Sequence, residues 1–151
     1  MRRQRRRGED RALSVGRFKA HAGLGDPVEG IALVASDNFS ARYDLDRIRG
    51  VFSRPSHALF EQSYVARVLV LNAAKGGVAT AWMLREMTAR GIAPLALVLN
   101  FANPIMAQGA AFAGLPLLDR FDVDITQVVQ SGDRVRINPR DGELLVLGRS
   151  Q

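Results

Sequence analysis

Cysteine is absent from this 151-residue chain. That excludes a disulfide framework and any zinc or iron–sulfur centre ligated by cysteines of this chain alone. Lysine is nearly absent, with Lys19 and Lys75 standing against nineteen arginines. The two histidines, His21 and His57, stand apart without spaced carboxylates, a pattern that argues against a metal site. No run approaches the roughly 18 continuous apolar residues of a spanning helix. No apolar segment follows the basic start, so a signal peptide is not expected either, and the reading is a soluble cytoplasmic chain without a membrane partner. Also missing are G-x-x-x-x-G-K-[ST], G-x-G-x-x-G and any Ser/His/Asp arrangement with supporting context.

What is present is ordinary for a globular protein: 47% hydrophobic and 24% charged residues, in a length that suits one domain with a substantial core. The net charge of +6 is unevenly spread. Residues 1–11 hold Arg2, Arg3, Arg5, Arg6, Arg7 and Arg11 against Glu9 and Asp10, a local +4, which leaves only +2 for the rest. The expected organisation is a solvated, disordered basic tail over 1–14 and a single domain over 15–151. Such a tail can attract RNA or an anionic surface, and strongly salt-dependent binding removed by its deletion would be the signature. The nearly neutral body argues against nucleic acid as the partner.

Strands are expected from Phe18 to Gly25 and over Gly30–Ala35, the latter ending at the polar turn Ser36-Asp37-Asn38. Residues 39–64 have no clean period and include Arg54-Pro55-Ser56-His57, as expected of a long loop with short strand pieces that carries function. The apolar, β-branched run 65–71 predicts a buried strand, and a helix should follow from Gly77 to Arg90 with Val78, Ala81, Trp82, Leu84 and Met87 on its apolar side. Gly91 would terminate it. A second buried strand is expected over 95–99. Asn103 as N-cap and Pro104 at the first helical position then open a second helix, which Gly114 ends. A short third strand over 115–118 and a hairpin, 134–137 with 143–147 about a turn at 138–142, complete an α/β domain with right-handed parallel crossovers.

The segment Asn72-Ala73-Ala74-Lys75-Gly76-Gly77-Val78-Ala79-Thr80 joins the first core strand to the first helix. A strand turning through glycines into a helix N-terminus gathers backbone N–H groups at the positive end of the helix dipole, which suits a phosphate or carboxylate. Lys75 would add a point charge and Thr80 a hydroxyl. A tight turn that needs small residues for close packing accounts for the same pattern. Ser36 and Asp37 lie at a strand end, where an Asx turn competes with a binding role, and Asn100 and Asn103 flank the second strand-to-helix junction.

Several segments together resemble the aconitase X swivel-domain family: Ala35-Ser36-Asp37, Val68-Leu69-Val70-Leu71 with its glycine turn, Gly91-Ile92-Ala93-Pro94, Asn103-Pro104-Ile105-Met106-Ala107-Gln108-Gly109-Ala110, Gly114-Leu115-Pro116-Leu117 and Ser131-Gly132-Asp133-Arg134-Val135. The resemblance spans roughly residues 25–147. It implies a swivelling β/β/α fold similar to the C-terminal domain of aconitase. It also implies a small subunit that acts with a large aconitase X-type subunit, where the iron–sulfur cluster is expected, this chain itself binding no cofactor. The implied reaction is dehydration of an anionic hydroxy acid, such as cis-3-hydroxy-L-proline or a phosphorylated mevalonate. On this reading Lys75 and Thr80 are the candidate catalytic residues, with Ser36, Asp37, Asn72, Gly76, Gly77, Val78, Asn100 and Asn103 as substrate contacts.

The chain departs from the family at the turn. The family pattern runs glycine, arginine, glycine, serine, serine, with a serine as the expected catalytic base. Lys75 stands for the arginine and Gly76 for the next glycine, but Gly77 and Val78 occupy the serine positions. A glycine or valine cannot transfer a proton, which leaves Thr80, Lys75 (as a base if its pKa is lowered) or a partner residue for the chemistry. The alternative is a catalytically silent ligand-binding or regulatory swivel domain.

Overall fold

The structure, a computed structural model, describes residues 16–74 and 76–149. The basic stretch 1–14 and Lys75 lie outside the described residues. In chain order the elements are β1 (Gly16–Lys19), β2 (Val28–Val34), β3 (Leu45–Asp46), β4 (Val51–Phe52), β5 (Val68–Ala73), α1 (Val78–Ala89), β6 (Ala96–Phe101), α2 (Pro104–Ala113), β7 (Leu117–Leu118), α3 (Ile125–Val128), β8 (Arg134–Asn138) and β9 (Glu143–Gly148).

Seven strands run in the order β1-β9-β8-β2-β5-β6-β7. β2, β5, β6 and β7 are parallel, whereas β8, β9 and β1 continue antiparallel from the other side of β2. β2 is the hinge between the two halves. Val28–Ile31 pair with β8, and Ala32–Val34 pair with β5. The two-residue period of β5 and β6 explains the layering. Leu69, Leu71, Leu97 and Leu99 pack with the helices, while Val68, Val70, Ala96 and Val98 pack with Val135, Ile137, Leu144 and Val146 of the antiparallel half. Three layers result, in the expected β/β/α form: antiparallel sheet, parallel sheet, helices.

The first strand is displaced from the expected Phe18–Gly25. β1 is Gly16–Lys19, and the chain beyond it crosses β7, where Leu24 and Leu117 exchange N–H···O bonds of 2.9 and 3.0 Å. A Cβ at Gly23 would stand 2.1 Å from the Leu117 carbonyl oxygen, so the glycines serve this crossing and not a strand interior. α1 buries Thr80, Leu84 and Met87, spaced i, i+4, i+7, while Val78 and Trp82, expected on its apolar side, are 64% and 57% exposed. The polar residue in the stripe is what misled the apolar reading. Residues 39–64 do form a loop with short strand pieces, β3 pairing β4. It carries its own aromatic centre: buried Phe52 stacks on His57 at 4.5 Å and meets Tyr64 edge-on at 6.1 Å.

α1 and α2 meet at Gly109, where a Cβ would lie 2.6 Å from Ala81 Cβ and 2.8 Å from Ala81 Cα. Alanine there gains about 1 kcal/mol of helix propensity but forces two helix backbones apart, at about 1–3 kcal/mol. Gly109→Ala is therefore expected to lower the thermal midpoint by about 2–6 °C, measured by circular dichroism. An unchanged or higher midpoint would mean the crossing is looser than these distances require.

Candidate functional site

Parallel strands send their carboxyl ends to one edge, and the following loops carry the candidate residues there. Beyond β2 stand Ser36, Asp37 and Asn38; Asn72 and Asn100 are the penultimate residues of β5 and β6. The fourth contributor, α3, was not anticipated. It is capped by Asp124, whose side chain accepts from Thr126 N.

These side chains form a continuous row. Asn100 Oδ1 accepts from Ile125 N at 3.0 Å, which fixes its amide orientation. Its Nδ2 therefore donates to Asp124 Oδ1 at 2.8 Å and to Asn72 Oδ1 at 3.2 Å. Asn72 Nδ2 in turn faces Asn38 Oδ1 at 3.3 Å. On the other side Thr126 Oγ1 donates to Asp124 at 2.6 Å and meets Ser36 Oγ at 3.0 Å, and Gln127 Nε2 donates to Ser36 Oγ at 2.7 Å. Among the described residues Ser36 thus has hydroxyl and amide neighbours and no directly bonded base to activate it as a nucleophile.

The glycine turn adjoins this row. Gly76 has φ +126°, a conformation L side chains rarely adopt. Gly77, the N-cap of α1, provides no side-chain cap, and the first turn carries no acidic residue, so the N–H groups of the exposed Gly76–Val78 segment have no hydrogen-bond partner among the described residues. Asn103 caps α2 through Met106 N at 2.8 Å and also donates to the Gly76 carbonyl at 3.5 Å. Thr80 is buried beneath the turn, 2% exposed. A Cβ at Gly76 would stand 2.2 Å from its Oγ1, which places the hydroxyl against the turn and away from solvent.

A cleft of about 390 Å³ opens between the turn and the β2 loop, lined by Asp37, Asn38, Ser40, Tyr43, Asp44, Arg54 and Gly76. Its cation among the described residues is Arg54, which the sequence marked only as part of a loop of functional type. Arg54 Nε donates to Asp44 Oδ1 and Nη1 donates to Ser56 Oγ at 2.6 Å, while Nη2 lies 3.7 Å from Asp37. Buried His57 accepts from Leu59 N at Nδ1, so it is the Nε2–H tautomer that donates to the Asn38 carbonyl at 2.8 Å. Phe52 behind it and these two bonds fix the 54–60 segment over the site.

Burial alone would raise the Asp37 carboxyl, but N–H donors from Asn38 and Ala58 and the positive charge of Arg54 hold it below its ordinary value. Hydrogen bonds from the Thr126 and Asn100 side chains, against a small desolvation effect, hold Asp124 low as well. Both are ionised, weak bases at neutral pH. A depressed carboxyl stabilises the fold above the ordinary aspartate range, and that stability is lost as pH falls through the depressed value. Asp37→Asn should therefore lower the thermal midpoint by a few degrees at pH 7, with wild type and variant converging below about pH 4. A gap that stays constant as pH falls through the carboxylate range would contradict this origin.

Among the described residues no helix is long and apolar enough to cross a membrane, and no group of three or more His, Cys, Asp or Glu is arranged to hold a metal ion.

The family model of the aconitase X swivel domain matches residues 17–146. The phosphomevalonate dehydratase small subunit of Methanopyrus kandleri is 34% identical over 114 residues, 76% of this chain and 84% of that protein. The protein of the same name in Methanothrix thermoacetophila is 33% identical over 130 residues, 86% of this chain and 93% of its own length. Aconitase X of Thermococcus kodakaraensis in its holo-form superimposes with a TM-score of 0.80 at 24% identity, covering 87% of this chain and 98% of that one, a likeness of fold.

Proposed function

This chain belongs to the aconitase X swivel-domain family, and on that premise we propose that it is the small subunit of a hydro-lyase that removes water from phosphomevalonate together with a large subunit. The observation that carries the reading is the polar row from Asn38 through Asn72, Asn100, Asp124 and Thr126 to Ser36, set beside an uncapped helix N-terminus. That edge offers amide and hydroxyl groups for a substrate's hydroxyl and backbone N–H groups for an oxyanion.

Dehydration removes a proton from one carbon and hydroxide from its neighbour, so the site needs a base and a means of assisting the leaving oxygen. Asp37 and Asp124 are too weakly basic for the first task. We assign proton transfer to Lys75 or to a group of the large subunit, and assign buried Thr80 to holding the Gly76 turn. This chain has no cysteine and its described residues offer no cluster ligands, so an iron–sulfur group does not fit here. We propose that any such cluster belongs to the large subunit, which completes the site.

The silent-domain reading has one observation in its favour: the exposed turn positions 77 and 78 carry no hydroxyl. One experiment separates the two. The chain is co-expressed with a large aconitase X-type subunit and loss of water from phosphomevalonate is followed. Turnover by the complex, none by either chain alone, and its loss in Lys75→Ala would support the hydro-lyase. Lys75→Ala with full activity would remove Lys75 from the mechanism, and a stable complex that turns over no hydroxy acid would favour the silent domain.

A further inference from the structure

The cleft beside the glycine turn holds a guanidinium whose Nε and Nη1 are hydrogen-bonded and whose Nη2 is held only by a longer ion pair. Arg54 follows β4, and its Nε and Nη1 are bonded to Asp44 and Ser56. Asp44, 4% exposed, is itself held by Ser40 N at 2.9 Å, so the anchor is buried and rigid. Nη2 makes no hydrogen bond among the described residues and lies 3.7 Å from Asp37 Oδ1. The Arg54 side chain is 35% exposed, and Arg54 and Gly76 line the same cleft of about 390 Å³.

A purely structural arginine needs none of its donors directed at an open cleft. Asp44 balances the charge of Arg54, but Asp37 lies in the same cleft, and its charge opposes an incoming anion. Its two oxygens are engaged by Asn38 N at 2.7 Å and Ala58 N at 3.1 Å, donors that offset part of its charge toward the cleft. Two groups with positive character thus reach the cleft: the glycine turn at Gly76 and the Arg54 guanidinium.

Building on the hydro-lyase reading, we propose that Arg54 is a substrate-binding residue that receives one oxyanion of a substrate carrying two, the other resting on the glycine turn, and that this pair of poles selects dianionic hydroxy acids. A guanidinium held in plane offers a carboxylate or a phosphate directed N–H donors that a lysine in its place would not reproduce.

The assembled two-subunit complex tests this with phosphomevalonate as substrate and wild type, Arg54→Lys and Arg54→Ala compared. KM is expected to rise roughly 10–100-fold in Arg54→Ala, with kcat changed no more than about threefold and partial recovery in Arg54→Lys. Competition identifies the group that is held: the Ki of inorganic phosphate weakens in parallel if it is the phosphate, that of mevalonate if it is the carboxylate. KM and both Ki values within about twofold of wild type in a folded Arg54→Ala complex overturn the assignment. So does a loss of turnover that only tracks lost folded protein. If the wild-type complex turns over nothing, the hydro-lyase reading fails by itself. Arg54 is then judged on the full-length chain from its side-chain ¹⁵N–¹H resonance during titration with phosphate and with mevalonate. A shift abolished in Arg54→Ala supports the subsite, and no shift in wild type overturns it.

Discussion

Gly76→Val is expected to cut turnover of the assembled enzyme by about two orders of magnitude while most of the fold survives. Two effects act at the same residue. The backbone sits at φ +126°, where a β-branched residue is strained by about 1–3 kcal/mol. The added Cβ would also stand 2.2 Å from Thr80 Oγ1 and 2.8 Å from Thr80 Cβ, an overlap of a kind that costs about 1–3 kcal/mol. Thr80 is buried in the first turn of α1 and cannot withdraw, so relief comes from opening the turn. That movement shifts the N–H groups at Gly76–Val78 and breaks the 3.5 Å contact from Asn103 to the Gly76 carbonyl. A shift of about 1 Å in a binding group costs on the order of 10²-fold in rate. Gly76→Ala with Thr80→Ala removes the 2.2 Å overlap with the hydroxyl while keeping the backbone strain and the 2.8 Å approach to the Cβ at position 80. It should recover part of the activity lost in Gly76→Ala alone. Turnover within threefold of wild type in Gly76→Val would mean the turn is not part of the site.

The parts of the fold that were legible in the sequence are those set by neighbours along the chain. Asn103-Pro104 announced a helix start because cap and φ restriction act within four residues, and the structure has Asn103 capping Met106. β5 and β6 were legible as apolar runs. Their division of labour, leucines toward the helices and small or β-branched residues toward the second sheet, emerges only when both layers are in place. Ser36, Asn72 and Asn100 were readable as residues at strand ends, and parallel pairing brings such ends to one edge. Asp124 and Thr126 could not be read. The helix they open spans four residues, too short for a periodic signal, and its link to the site is an amide 24 positions away. Arg54 is similar: its loop is marked by composition, but its anchor Asp44 lies ten residues off with no local rule connecting them. Thr80 illustrates the opposite failure, because a hydroxyl on the first turn of a helix reads as accessible until the turn folds over it.

Asn100→Asp is the second substitution expected to act strongly, and its effect should depend on pH. Asn100 Nδ2 is the donor shared by Asp124 and Asn72, and its Oδ1 holds the first amide of α3. Aspartate keeps the acceptor for Ile125 N but replaces the donor with a charge about 2.8 Å from the Asp124 carboxylate. The row is then broken at its centre, and two carboxylates compete for one proton. After screening at this exposed edge, a net cost of about 1–3 kcal/mol is expected at neutral pH, with activity down roughly 10–100-fold. The sign with pH distinguishes repulsion from a lost contact. In the variant the pair titrates with its upper pKa raised above the ordinary carboxylate value, so the penalty is full above that value and is relieved as pH falls through it, when the shared proton restores a donor. The variant's thermal midpoint should therefore rise as pH falls from 7 to 5, where wild type stays flat. Asn100→Ala, which removes the same donor without adding charge, should show no such recovery. Equal midpoints for the two variants across that range would mean Asn100 does not face an ionised Asp124, and the polar row would have to be redrawn without that link.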